Sequence, residues 1–162
     1  MRSIPLVVLT MCGLNLAFGQ QKPSAPQPED PELYFAFFRA HSAVDQQMQA
    51  SAAAVAATLA ASTASLYQIS PTDLPKLTTE VRTFMSDLAA WESPLRTYVA
   101  QQQAAKHMPD MKVMVGFQNQ RQLLVIATHS RVQQAITPAS WSGLTGYIKG
   151  PFRSSLSTGG AK

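Results

Sequence analysis

Three methionines and a histidine lie close together near the middle of the chain. They belong to the run HMPDMKVM over residues 107–114, in which methionine recurs at every third position. Thioether sulfur is a soft ligand that suits Cu(I), so His107, Met108, Met111 and Met114 are candidate copper ligands. Methionine also fills irregular gaps between helices, and packing at a helix junction is the alternative interpretation.

Residues for other kinds of chemistry are sparse. The three histidines, His41, His107 and His129, are far apart in the sequence, and no known hydrolase or metalloprotease pattern surrounds them. His129 precedes Ser130, but adjacent helical residues point about 100° apart and cannot pair directly. His41 falls on an apolar helix face, which predicts a hydrogen-bonded core histidine. The sequence therefore predicts a protein that is not an enzyme and that needs no cofactor, unless copper binds.

Four aromatic residues and an arginine crowd together at the start of the first helical segment. Tyr34, Phe35, Phe37 and Phe38 occupy four of five positions, and Arg39 follows. On a helix, these rings cover more than half of the circumference, so a single buried stripe hardly hides all of them. We expect Tyr34, Phe35, Phe38 and Arg39 to form a partner-binding patch, or a patch covered by a second copy in a homodimer. Complete burial in a helical core is the alternative.

The N-terminus has the pattern of a secretory signal. Arg2 precedes an almost wholly apolar stretch over residues 4–18, and Ala-Phe-Gly over residues 17–19 is typical of a cleavage site. Cleavage after Gly19 also removes Cys12, the only cysteine, so the mature chain would contain no disulfide. This pattern predicts a periplasmic or secreted protein.

The mature chain is predicted to form one helical domain between two flexible ends. Residues 20–31 contain four prolines and no large apolar side chain, which indicates a disordered leader. Residues 154–162 are rich in serine and glycine, which indicates a flexible tail. The domain over residues 32–153 is predicted to be all-α, a helical hairpin or bundle of three long helices and one short C-terminal helix.

The first predicted helix covers residues 31–67. No glycine or proline follows Pro31 within it, and Pro31 with its neighbouring acidic residues suits a helix start. Residues 50–67 are uncharged, but their apolarity comes mostly from alanine diluted by serine and threonine. Such a stretch inserts weakly into lipid, so no stable membrane span is expected after signal cleavage.

The second predicted helix, over residues 72–106, has the most regular pattern in the chain. Its apolar residues alternate at spacings of three and four, which predicts one seam of a bundle: Leu74, Leu77, Val81, Phe84, Leu88, Trp91, Leu95 and Tyr98. Because this alternation continues past Pro94, we expect a bend there and no break.

Two shorter predictions complete the domain. A third helix is expected over residues 110–136 with Asp110 as its N-cap, although a strand over residues 123–126 is an alternative. A short helix over residues 138–149 should end at Gly150 and Pro151.

Two six-residue stretches, ISPTDL over residues 69–74 and ITPASW over residues 136–141, share one order of residue types. Each predicts a helix start, with Ser70 or Thr137 as the cap and proline at the first helical position. The first five residues of each stretch, Ile69–Asp73 and Ile136–Ser140, resemble the Leu-Thr-x-x-Gln pentapeptides of the Spy/CpxP group of periplasmic proteins. This resemblance implies a small secreted all-helical chain without disulfides.

In that resemblance, Asp73 and Ser140 stand where the Spy/CpxP signature has glutamine. A side chain at this position can reach back to the backbone N–H of the cap residue in its own motif. We therefore expect Asp73 to bond to Ser70, and Ser140 to bond to Thr137.

Charge is distributed unevenly along the chain. Residues 20–110 carry six basic and nine acidic residues, whereas residues 111–162 carry six basic residues and no acid. We expect the basic helices to face the acidic ones within one bundle, and an anionic envelope partner is the alternative. The positive charge is too sparse for a nucleic-acid partner.

These features together predict a non-catalytic secreted or periplasmic binding protein. Its partner would be a protein or another envelope component, bound in a chaperone-like manner or as an adaptor. A Cu(I)-binding protein that uses the methionine run is the alternative. A structural protein that assembles through its alanine-rich helix is a third hypothesis.

Overall fold

The structure, a computed structural model, describes residues 30–158. The predicted signal over residues 1–19, the predicted leader before residue 30 and residues 159–162 lie outside the described part. Within the described residues, all regular structure is helical and no strand occurs. The alternative of a strand over residues 123–126 is therefore wrong.

Six α-helices and one π-helical turn follow one another along residues 30–158. Their bounds are α1 Pro31–Ala50, α2 Ala53–Tyr67, α3 Leu74–Ala104, α4 Met111–Ala135, α5 Pro138–Tyr147, the π-turn Ile148–Phe152 and α6 Arg153–Thr158. None of the helices in this range combines the length and the apolarity that crossing a membrane requires. Residues 154–158, which were predicted to belong to the tail, form most of α6.

The first predicted helix is in fact two helices. The start at Pro31 is confirmed, because the Asp30 carboxylate accepts a hydrogen bond from the Leu33 N–H at 3.1 Å. The helix ends at Ser51, whose backbone is extended and whose hydroxyl donates to the Gln47 carbonyl at 2.8 Å. That bond satisfies a carbonyl that a helix end leaves free. The break lets α2 turn back and pack against α1 and α5.

Helix α3 is continuous through Pro94, as its periodicity predicts. Its start differs from the prediction, because residues 70–73 form a turn and Asp73 is the residue before the helix. Ser70 is thus part of the turn, where its hydroxyl accepts from the Thr72 N–H at 3.3 Å. Pro75 then lies in the first helical turn, where its missing N–H costs no helical hydrogen bond.

The starts of α4 and α5 agree with their predicted caps. The Asp110 carboxylate accepts from the Lys112 N–H at 2.7 Å, and the Thr137 hydroxyl accepts from the Ser140 N–H at 3.4 Å. The predicted end at Gly150 and Pro151 is wrong, because the chain continues through both as a π-turn into α6. The wider π-turn accommodates a proline ring that clashes with the preceding turn in an α-helix.

The hydrophobic core lies at one end of the α3–α4 hairpin. In α3 the buried residues extend from Leu74 to Leu88, and in α4 from Val125 to Val132. Helix α1 packs against both of these halves, α2 and the π-turn pack against α1, and α5 packs against α2 and the π-turn. The remaining halves of α3 and α4, with the turn between them, extend beyond the core over residues 89–124. We call this two-helix projection the arm.

Ion pairs between the basic and acidic parts of the sequence confirm the expected arrangement of charge. Each joins a base after residue 110 to an earlier acid: Arg121 with Glu32, Arg131 with Glu80 at 2.9 Å and with Asp87 at 3.7 Å, and Arg153 with Asp30 at 2.9 Å. These partly exposed pairs each contribute modestly to stability.

Candidate interaction surface

Three of the four aromatic side chains at the start of α1 are buried. The exposed fractions are 2% for Tyr34, 0% for Phe37 and 1% for Phe38. Helix α1 packs against α3, α4, α2 and the π-turn. Because α1 has several neighbours, the buried stripe on its surface is wider than contact with a single helix would produce. The predicted binding patch is therefore wrong for Tyr34 and Phe38, which belong to the core.

The other two members of the predicted patch lie at the surface, but they do not expose an open apolar area. The half-buried Phe35 ring packs edge-on against Phe84, with 6.1 Å between the ring centroids. The Arg121 guanidinium lies 4.8 Å from the Phe35 ring centroid, and the exposed Arg39 guanidinium lies 5.8 Å from it. Two cations thus lie over the Phe35 ring, an arrangement that cation–π attraction favours.

His41 is a hydrogen-bonded core residue, as predicted. Its Nδ1 lies 3.4 Å from the Tyr67 hydroxyl and its Nε2 lies 3.1 Å from the Thr78 hydroxyl, and the ring stacks on Phe37. Burial lowers the pKa of His41 to about 4, with a smaller opposing effect from Asp45. With both nitrogens engaged and no exposed surface, His41 stabilises the junction of α1, α2 and α3.

Beside His41, a two-pronged ion pair connects α1 to α3. The Asp45 carboxylate accepts from Arg82 Nε and Nη2 at 2.8 Å each, and from Gln49 at 2.8 Å. The hydrogen bond from Arg82 holds the pKa of Asp45 below its ordinary value. Because Asp45 and Arg82 are 37 residues apart, no local pattern in the sequence indicates this pair.

His129 is buried between two aromatic rings. Tyr34 and Trp141 each meet the His129 ring edge-on, with 4.8 Å between centroids in both cases. Burial lowers the pKa of His129, and the charge of Lys149 adds to this effect. His129 is thus a packing residue at the junction of α1, α4 and α5. Within residues 30–158, no three His, Cys, Asp or Glu side chains are grouped so that they could hold a metal ion.

The two pentapeptides meet in space and cap each other. The Asp73 carboxylate accepts from the Thr137 N–H at 3.1 Å and from the Thr137 hydroxyl at 2.7 Å. The Ser140 hydroxyl accepts from the Ser70 N–H at 3.0 Å. The fifth residue of each motif therefore bonds to the second residue of the other motif. The prediction that the fifth side chain reaches back to the cap residue of its own motif is wrong. The hydrogen bond is still of the expected type, from a backbone N–H of a second residue to the side chain of a fifth residue.

This junction, which we call the cap pair, is tightly packed. Asp73 is fully buried, and hydrogen bonds from Lys76 first, then from Thr137 and Ser140, hold the pKa of its carboxyl well below its usual range. A methyl group at Gly143 would lie only 2.1 Å from the Gln68 carbonyl oxygen. Glycine at residue 143 therefore allows α5 to approach the end of α2 closely. These contacts give the repeated motifs a structural role.

The arm is held together by few contacts. The Trp91 indole donates to the Phe117 carbonyl at 3.1 Å, and the Tyr98 hydroxyl accepts from the Asp110 N–H at 2.7 Å. The Trp91 and Tyr98 rings each pack on Phe117, with centroid separations of 6.4 and 6.2 Å. In the described chain, no α3 residue beyond Leu88 is buried. The arm is a hairpin of two helices with one narrow seam.

Apolar side chains are exposed mainly on the arm. Five of the eight large exposed apolar residues in the described chain lie there: Met108, Met111, Val113, Val115 and Leu123. We call these five residues the arm surface. Met108 and Met111 are 89% and 74% exposed, so the interpretation of these two as packing residues is wrong. Met114 is half-buried, and His107 is exposed in the turn.

Over residues 30–158, the fold is all-helical, with a two-helix arm that carries exposed apolar side chains. No family model, curated protein or solved structure matches this chain. The resemblance to the Spy/CpxP group thus rests on the two pentapeptides and stays a prediction.

Proposed function

We propose that this chain is a non-catalytic, chaperone-like binding protein of the periplasm or cell exterior, and that it binds apolar protein segments through the arm surface. The observation that carries this proposal is the concentration of exposed apolar side chains on the arm. The signal pattern over residues 1–19 supports the location.

The chemistry of the arm surface indicates which clients would bind. Exposed apolar side chains that concentrate in one region of a protein commonly mark an interaction site. Exposed Lys106 and Lys112 flank the apolar residues, and they favour clients that also carry acidic groups. Fully burying one such apolar side chain contributes about 1.5–3 kcal/mol, so a few contacts allow reversible binding after the entropic costs of association.

Two exposed residues of the arm surface provide the test. In a double variant, Val115→Ser and Leu123→Ser remove apolar area from residues that are 46% and 63% exposed. The matched control is Val55→Ser with Leu66→Ser on α2, where the same residue types are 52% and 57% exposed. The assay measures aggregation of a chemically unfolded test protein with and without the mature chain at equal molarity.

We expect the wild-type chain and the α2 control to suppress aggregation, and the arm variant to lose most of this effect with unchanged helicity. Equal loss in both variants would show that the arm has no special role. A wild-type chain without any effect on several unfolded proteins would rule out the chaperone-like function. An adaptor would instead bind one envelope component through the same surface, and it would leave the aggregation of unrelated proteins unchanged.

A further inference from the structure

We infer that the turn of the arm is a Cu(I) site whose ligands are the thioethers of Met108, Met111 and Met114 and the imidazole of His107. This inference is independent of the client-binding proposal, because it concerns sulfur and nitrogen donors and not apolar area. It also assigns a use to exposed methionines that contribute little to the stability of the fold.

The first argument is the placement of the methionines. Met side chains in soluble proteins mostly fill cores, where their flexibility suits irregular gaps. Here three of the seven methionines lie within seven residues, and Met108 and Met111 are 89% and 74% exposed. Their sulfurs are accessible to an ion from solvent.

The second argument is the geometry of the turn. Met111 is the first residue of α4 and Met114 lies one turn later, so the two side chains are neighbours on the helix surface. Long side chains in a helix lean toward its N-terminus, and for α4 that direction leads to the turn that holds His107 and Met108. Lys106 has a left-handed backbone with a φ of 55° just after α3, and the His107 N–H donates to the Gln102 carbonyl at 2.9 Å. All four donors therefore belong to one end of the arm.

The third argument is the match between donor type and metal. Thioether and imidazole are soft or borderline ligands, a set that favours Cu(I) over the hard ions Mg²⁺ and Ca²⁺. Thioether sulfur carries no charge, so a Cu(I) ion bound by the three methionines would add a single positive charge to the turn. The Asp110 carboxylate, in the same turn, offsets one of the two positive charges of Lys106 and Lys112.

The experiment is an anaerobic competition for Cu(I) between the purified mature chain and the coloured bicinchoninate complex. We expect the wild-type chain to withdraw one equivalent of copper. The variants Met108→Leu, Met111→Leu and Met114→Leu keep the apolar volume and remove the sulfur, and each should weaken binding about tenfold or more. His107→Gln should also weaken binding.

The matched control is Met85→Leu, which alters a methionine packed against the core at a distance from the turn. It should bind Cu(I) as the wild-type chain does, and Cu(I) should raise the melting temperature of both. Failure of the wild-type chain to compete, or an equal loss in Met85→Leu, would overturn the inference. The leucine variants should still suppress aggregation, so failure of the copper site and failure of client binding are separate outcomes.

Discussion

The most informative single residue for the stability of the fold is His41. Burial prevents its protonation in the folded chain until the pH falls to about 4, whereas an unfolded histidine has an ordinary pKa of about 6.5. The stabilising contribution of neutral His41 is therefore fully present above pH 6.5, and it is lost as the pH falls from 6.5 to 4. The difference in pKa corresponds to about 3 kcal/mol of unfolding free energy over that range.

The corresponding prediction concerns the pH dependence of stability. The free energy of unfolding should fall between pH 7 and pH 4.5, and the fall should be smaller in His41→Gln, because glutamine does not titrate there. Denaturant titrations at both pH values measure this difference, and circular dichroism at pH 7 checks that the variant is folded. Identical pH dependence in the two chains would show that His41 does not govern acid sensitivity.

Among the helices, α5 depends on the close approach of its Gly143 to the Gln68 carbonyl. We expect Gly143→Ala to destabilise the chain by about 3 kcal/mol, because the new methyl group would overlap that oxygen and separate the cap pair. The measurement is the free energy of unfolding from denaturant titration.

The matched control for this prediction is Gly146→Ala, in the same helix, where an added methyl group meets no atom within 4 Å. It should stabilise α5 by about 0.5–1 kcal/mol, because alanine favours helix more than glycine does. If both variants changed stability equally, the close approach at Gly143 would be irrelevant.

Helix seams and caps could be predicted where they depend on residues that are close together in the sequence. The seam of α3 and the caps at Asp110 and Thr137 depend on residues within a few positions of each other, and the structure contains them as predicted. The break at Ser51 was missed because the alanine-rich stretch around it carries no helix-stop signal of the usual kind.

Features that join distant parts of the chain were not predictable in the same way. Tyr34 and Phe38 are buried because several helices surround α1, and a single helix gives no indication of how many neighbours it will have. The arm surface was missed because exposure of Val115 and Leu123 depends on where the rest of the bundle ends. The only signal in the sequence was indirect, since the methionine run marked the turn at the end of the arm.

At the scale of the whole molecule, the arm should be less stable than the core. Residues 89–124 form a two-helix seam, whereas the buried residues of α3 and α4 near α1 pack in the core. We expect backbone amides of the arm to exchange with deuterium faster than those of residues 74–88 and 125–135, because local opening there disrupts few contacts. Hydrogen-exchange mass spectrometry measures both sets in one sample. Uniform protection would mean that the arm unfolds only with the whole chain.

The cap pair has a consequence for the order of folding. Its hydrogen bonds join residues that are 64 and 70 positions apart, so the turn before α3 and the start of α5 lack these partners until both halves of the chain have met. Closing such a long loop costs entropy before any of these bonds repays it. A fragment that stops before Thr137 leaves the Asp73 carboxylate without its main-chain donor. We therefore expect the cap pair to form only after both halves of the chain have come into contact.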